Sequence, residues 1–173
     1  MSLETLQDLL VDNIKDLYNA ERQLLTALPK MAKKASSPAL REALEAHHAE
    51  TEQQVERLVE VFGLLDQPKR GKTCKGMQGL IEEGKEVLEE DGDDAVLDAG
   101  IIVAAQKVEH YEIAAYGSAI KFAELLGESD VVRILEETLE EEKAADEKLT
   151  AIAEGEVNGQ ALEAAAVGED EDE

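Results

Sequence analysis

The stretch Ile101-Ile102-Val103-Ala104-Ala105-Gln106-Lys107-Val108-Glu109-His110-Tyr111-Glu112-Ile113-Ala114-Ala115-Tyr116 is strongly apolar on both sides of its centre, yet two carboxylates stand in that centre. Its apolar residues recur every three or four positions and do not alternate, which is the signature of a helix. Followed at that spacing, one stripe passes through Ile102, Ala105, Glu109, Glu112, Tyr116, Ala119 and Ala123. Few charges occur between Ala99 and Leu125, so this helix is expected to be the most buried of the chain. A buried, uncompensated carboxylate costs several kcal/mol even after relaxation. Glu109 and Glu112 therefore need a partner.

Outward from this segment the same period continues, and the chain reads as all-α. A first helix is expected over about 3 to 35, with Leu10, Ile14, Leu17, Leu24 and Leu28 on one stripe and a late kink at Pro29. Ser36-Ser37-Pro38 supplies an N-cap and a proline at the first helical position, so a second helix starts at once and runs back to about Gly63. The connection from Leu64 to Gly92 is long, with a basic patch at Lys69, Arg70, Lys72 and Lys75 and a short amphipathic helix around 77 to 89. Asp91-Gly92-Asp93-Asp94 caps the third helix, which ends at Gly127; Ser129-Asp130 caps the fourth, which ends before Gly155. Two helical hairpins joined by a long crossover make a ferritin-like four-helix bundle over residues 1–155, with its second and third helices parallel. Residues 156–173, ending Glu169-Asp170-Glu171-Asp172-Glu173, read as an acidic, mobile tail.

Every core stripe is interrupted near mid-helix. Glu21 stands between Leu17 and Leu24 on the first helix; His47, Glu50 and Gln54 stand between Ala43 and Leu58 on the second; Glu142 and Asp146 stand between Leu139 and Leu149 on the fourth. In an antiparallel bundle these positions fall at similar heights. Lysine and arginine are missing from the stripes, and a core of six protonated acids would be unusual, so metal ions are the simplest source of neutralisation. Oxygen-rich ligation with one imidazole suits iron or manganese, and a pair of ions held by four helices is an established arrangement in such bundles. On the second helix, Glu45 and His48 also have ligand spacing, but they share a polar strip with Arg41 and Glu52. His47 and Glu50 share the apolar stripe and are preferred. His48 is expected to be exposed, His110 to hydrogen-bond between helices, and Tyr18 and Tyr111 to pack.

The charge balance narrows the function further. Against 17 Lys and Arg there are 41 Asp and Glu, a formal net charge of -24. Such a polyanion repels phosphate backbones and anionic lipid, so neither nucleic acid nor a membrane is expected as a partner. The surplus of surface carboxylates fits a halophilic protein, in which salt screens self-repulsion. Met1-Ser2-Leu3-Glu4 lacks the features of a signal peptide, and the single cysteine, Cys74, permits no internal disulfide, so the cytoplasm is the expected location.

Four segments carry a resemblance to a known family: Asp16-Leu17-Tyr18-Asn19-Ala20-Glu21-Arg22-Gln23-Leu24, His47-His48-Ala49-Glu50-Thr51, Ala104 to Gly117, and Thr138-Leu139-Glu140-Glu141-Glu142-Lys143-Ala144-Ala145-Asp146. Together they resemble the YciE/YciF family of ferritin-like stress proteins, over about residues 3 to 155. The resemblance implies a dimetal centre, a homodimer and a role in stress or in iron and oxygen handling. Carried onto this chain, it implies two metal ions, iron first and manganese or zinc as alternatives, held by Glu21, His47, Glu50, Glu109, Glu112, Glu142 and Asp146. The fourth helix departs from the usual Glu-x-x-His pattern, since Asp146 takes the place of a histidine. Two functions remain open: a di-iron centre that meets oxygen or peroxide and oxidises ferrous ion, with Glu50 and Glu142 bridging, or a non-catalytic helical dimer stabilised by metal. A hollow iron-storage shell is less favoured, because nothing in the sequence identifies cage contacts.

Overall fold

The computed structural model describes residues 3–167, and among them every regular element is helical. Helix α1 spans Leu6–Lys34, α2 Pro38–Leu64, α3 Lys75–Glu89, α4 Asp94–Leu126 and α5 Ser129–Ile152; a π-helical turn, Ala153–Val157, leads into α6, Asn158–Val167. Thr5 and Asp8 close a capping box at the start of α1: the Thr5 hydroxyl accepts from the Asp8 backbone N–H and the Asp8 carboxylate accepts from that of Thr5. Pro29, where a late kink is expected, sits inside α1, which runs on for another turn to Lys34. Proline removes one N–H donor there without ending the helix.

Contacts between the helices fix their directions. The turn after α1 meets the start of α4, where Asp98 accepts from Ser36 and Ser37, whereas Glu21, at the middle of α1, meets Tyr116 in the second half of α4. Helices α1 and α4 are therefore antiparallel. Gln54 and Arg57 of α2 reach Glu141 and Glu137 of α5, while Leu44 and Leu149 line one cavity, so α2 and α5 are antiparallel as well. Since α4 and α5 form a hairpin, α2 and α4 are parallel, as the long crossover requires. The short α3 lies within that crossover and packs on α1 and α4.

Two corrections concern helix ends. Ser129 is already helical, and Glu128 occupies the cap position without a side-chain bond. The tight turn explains this: Gly127, at φ 78°, and Glu128 both return backbone N–H bonds to Ala123. This closes α4 so compactly that α5 starts at once. At the other end, Gly155 does not stop the chain. The π turn carries the helix through it, and the one-residue shift in phase turns Ala153 and Val157 inward, Val157 completely buried. Helix α6 then packs along α4, so the predicted tail begins as structure; residues 168–173 lie outside the described part.

The interior consists of two apolar clusters. One contains Leu24, Leu28, Leu40, Leu44, Ile101, Ile102, Val108 and Leu149; the other contains Leu10, Ile14, Leu17, Leu58, Phe62, Tyr116, Ile120 and Leu135. Along each of the four long helices, the polar interruption falls between a residue of one cluster and a residue of the other.

Candidate metal centre

Between the two clusters Glu21, His47, Gln54, Glu109, Glu112 and Glu142 are all buried; Glu21, Gln54, Glu112 and Glu142 have no exposure at all. Atoms of His47, Glu109, Glu112 and Glu142 converge, with one ligand atom from each lying within 4.8 Å of the others. Two ligands on opposite sides of a divalent ion at octahedral distances would stand about 4.2 Å apart. These four groups could hold one ion with little movement.

Hydrogen bonding leaves the layer unfinished. Eight buried polar atoms have no hydrogen-bond partner among the described residues: Glu21 Oε2, His47 Nε2, Gln54 Oε1, Glu109 Oε2, and both carboxyl oxygens of Glu112 and of Glu142. Buried polar groups are normally satisfied, and each exception costs on the order of 1–3 kcal/mol. His47 Nε2 comes within 3.3 Å of Glu109 Oε1 and 3.6 Å of Glu142 Oε2 without hydrogen-bond alignment. A cation placed among these atoms would satisfy several of them together. The donor set, carboxylate oxygens and one imidazole, fits such a cation.

Protonation follows from the same burial. Removal from water, and then the neighbouring Glu142, raise the Glu21 carboxyl to about 8. Burial also raises Glu109 to about 8 and drives Glu112 and Glu142 well above the carboxylate range. Burial opposes charge on His47, but its bond to Glu50 and the surrounding carboxylates outweigh that and raise it. Without metal, protons must carry the neutralisation.

Not every predicted ligand enters the layer. Glu50 stays at the rim, its side chain 45% exposed and 3.3 Å from His47 Nδ1, which holds its carboxyl below the usual range. Asp146 is also at the edge, where it accepts from Gln106 and pairs with exposed His110 at 3.3 Å. His110 thus faces α5 through an ion-pair contact in place of the expected hydrogen bond, and Tyr18 packs edge-on against Phe62. Tyr111 does more than pack: its hydroxyl bonds Asp16 and lies 2.9 Å from Cys74 Sγ.

Three more residues contribute, of which Gln54 was marked in the sequence only as an interruption of its stripe and Tyr116 and Thr51 were assigned no part. The Tyr116 hydroxyl donates to Glu21 Oε1 at 2.5 Å and so orients that carboxylate across the bundle. Tyr116 lies one turn beyond Glu112 on the same stripe, and that spacing was the available signal. Gln54 donates to Glu141 while its own oxygen faces the layer unpaired. Thr51, fully buried, returns its hydroxyl to the His47 carbonyl and adds no ligand.

Known proteins share this arrangement of helices. Residues 5–162 match the family described as "Domain of unknown function (DUF892)". Protein YciF of Escherichia coli K12 is 45% identical over 162 residues, 93% of this chain and 98% of its own. The crystal structure of that E. coli stress protein superposes with a TM-score of 0.86, covering 90% of this chain and 98% of that one. YcfI of Rhodopseudomonas palustris, named for a proposed structural role, is 47% identical at a TM-score of 0.86 and covers 88% of this chain and 97% of its own. A Xanthomonas campestris structure at 24% identity and a TM-score of 0.72, over 92% of this chain and 98% of that one, shares the fold alone. Spanning nearly the whole bundle at this identity, the matches place the chain in the DUF892 family of YciF-like proteins.

Proposed function

We propose that this chain is a dimetal carboxylate protein of the cytoplasm, with iron as its first metal, that meets oxygen or peroxide during stress. The observation that carries the proposal is the set of eight unpartnered polar atoms in one buried layer supplied by all four long helices. His47, Glu109, Glu112 and Glu142 form the inner ligand set for one ion. Glu21 extends that set beside Glu112, and Glu50 and Asp146 close it from the rim. When bound, two irons would supply the redox chemistry. The chain's residues supply position and insulation: Tyr116 holds Glu21, the apolar clusters keep bulk water from the layer, and carboxylate oxygens favour the ferric state.

The relatives' descriptions, one a stress protein and one with a proposed structural role, support a second reading. In it, manganese, zinc or iron only ties the four helices of a homodimeric stress protein together, and occupancy stabilises the fold by mass action. Metal analysis of protein purified without added metal, followed by anaerobic ferrous loading and exposure to oxygen or peroxide, separates the two. Two irons per chain with oxidation faster than free ferrous ion, lost in Glu142→Ala, is the expected result. Oxidation at the free-ion rate with metal bound leaves the stabilising role alone, and less than one ion per chain after loading sinks both.

A further inference from the structure

The buried layer opens toward the surface between α2 and α5. A cavity of about 100 Å³ has His47 and Glu109 at its inner end and exposed Ala46, Ala144 and Lys148 at its outer end. Its side walls are small: Ala43 from α2 and Ala145 from α5 face the space that larger residues would fill. That is room for a few water molecules. Each of the two residues at its inner end carries an unpartnered polar atom, His47 Nε2 and Glu109 Oε2.

The charges at the mouth are unequal in their commitments. Glu141 is gripped by Arg57 through both oxygens, at 2.6 and 2.7 Å, and also accepts from Gln54. Among the described residues Glu50 bonds to His47 Nδ1 alone, and it is half exposed. Lys148 forms no ion pair among the described residues, and its charge acts on Glu50 through space. The His47 ring therefore spans the passage, with one nitrogen toward the Glu50 carboxylate outside and the other toward Glu109 and Glu142 inside.

We propose that this passage is the port of the metal centre, with Glu50 as the carboxylate that first receives a divalent cation and Lys148 as the charge the cation displaces. The alanine walls make it selective by size: ions shedding their water and peroxide-sized molecules pass, whereas organic reductants do not. The port rests on the dimetal reading, and one experiment distinguishes failure of either. Metal-free full-length chain is mixed rapidly with cobalt(II), binding is followed by visible absorption, and the bound cobalt is counted at equilibrium. Ala145→Leu is expected to slow loading by about tenfold with the stoichiometry unchanged, Lys148→Ala to speed it, and Ala114→Leu, on the exposed face of α4, to do neither. Ala46→Leu repeats the test from the α2 wall if the first variant does not fold. Full stoichiometry at the wild-type rate in a wall variant overturns the port; no cobalt bound by wild-type protein overturns the metal centre itself.

Discussion

Glu112 concentrates the chemistry of the layer in one side chain, since it is fully buried and neither of its oxygens has a partner. Burial, and then Glu21, Glu142 and Glu109, raise its carboxyl well above the ordinary range. The native state thus binds protons that the unfolded chain releases near the ordinary value of 4.5, and the stability this confers is lost as pH rises toward the folded value, about 8 for Glu21 and Glu109. His47, raised as well, acts in the same direction. The melting temperature of metal-free protein should therefore fall between pH 5 and pH 8, and fall less in Glu112→Gln, whose amide carries no charge to bury. At pH 8 the metal-free variant should be the more stable by about 1–3 kcal/mol, and saturating divalent metal should reverse the order. Thermal melts of both proteins with and without metal check this; a metal-free variant weaker than wild type at pH 8 would contradict it. The sequence disclosed Glu112 because an acid on an apolar stripe is visible at helical spacing. It did not disclose the short Tyr116 to Glu21 bond, which joins residues 95 apart and depends on how α1 and α4 pass each other.

At the level of elements, the helices were legible because a 3.6-residue period leaves its mark on every turn, and Pro38 and Gly127 occupy positions that ordinary start and stop rules anticipate. The same rules misread Gly155, because a single glycine in a helix costs only about 1 kcal/mol and buried Val157 and the packing of α6 on α4 offset it. They also passed over Asp98, which looks like one more surface acid among many. It is 3% exposed, and its two oxygens accept from the backbone of Ser36 at 2.9 Å and of Ser37 at 2.6 Å, fastening the α1 to α2 turn onto α4. Asp98→Ala should cost about 1–3 kcal/mol in urea denaturation, because two charge-assisted bonds vanish from a buried turn. Metal stoichiometry should be unchanged, since Asp98 is far along α4 from Glu109. An unchanged denaturation midpoint would show that the turn is held by packing alone.

For the molecule as a whole, the formal charge of -24 is divided between the surface and the interior. Surface repulsion should respond to screening, so the metal-free protein is expected to melt higher in about 1 M potassium chloride than in dilute buffer. A flat response would remove the halophilic interpretation. No helix of the described residues is long and apolar enough to cross a membrane. The division of the core into two clusters has a consequence for cooperativity. Each cluster draws on both hairpins, so either end of the bundle has an apolar interior of its own, and what joins the ends across the middle is a stratum that, without metal, is neutral only while its acids hold protons. Metal would act there as a rivet. Its loss would leave two halves able to open independently, and slow amide exchange would then change from one common rate to two.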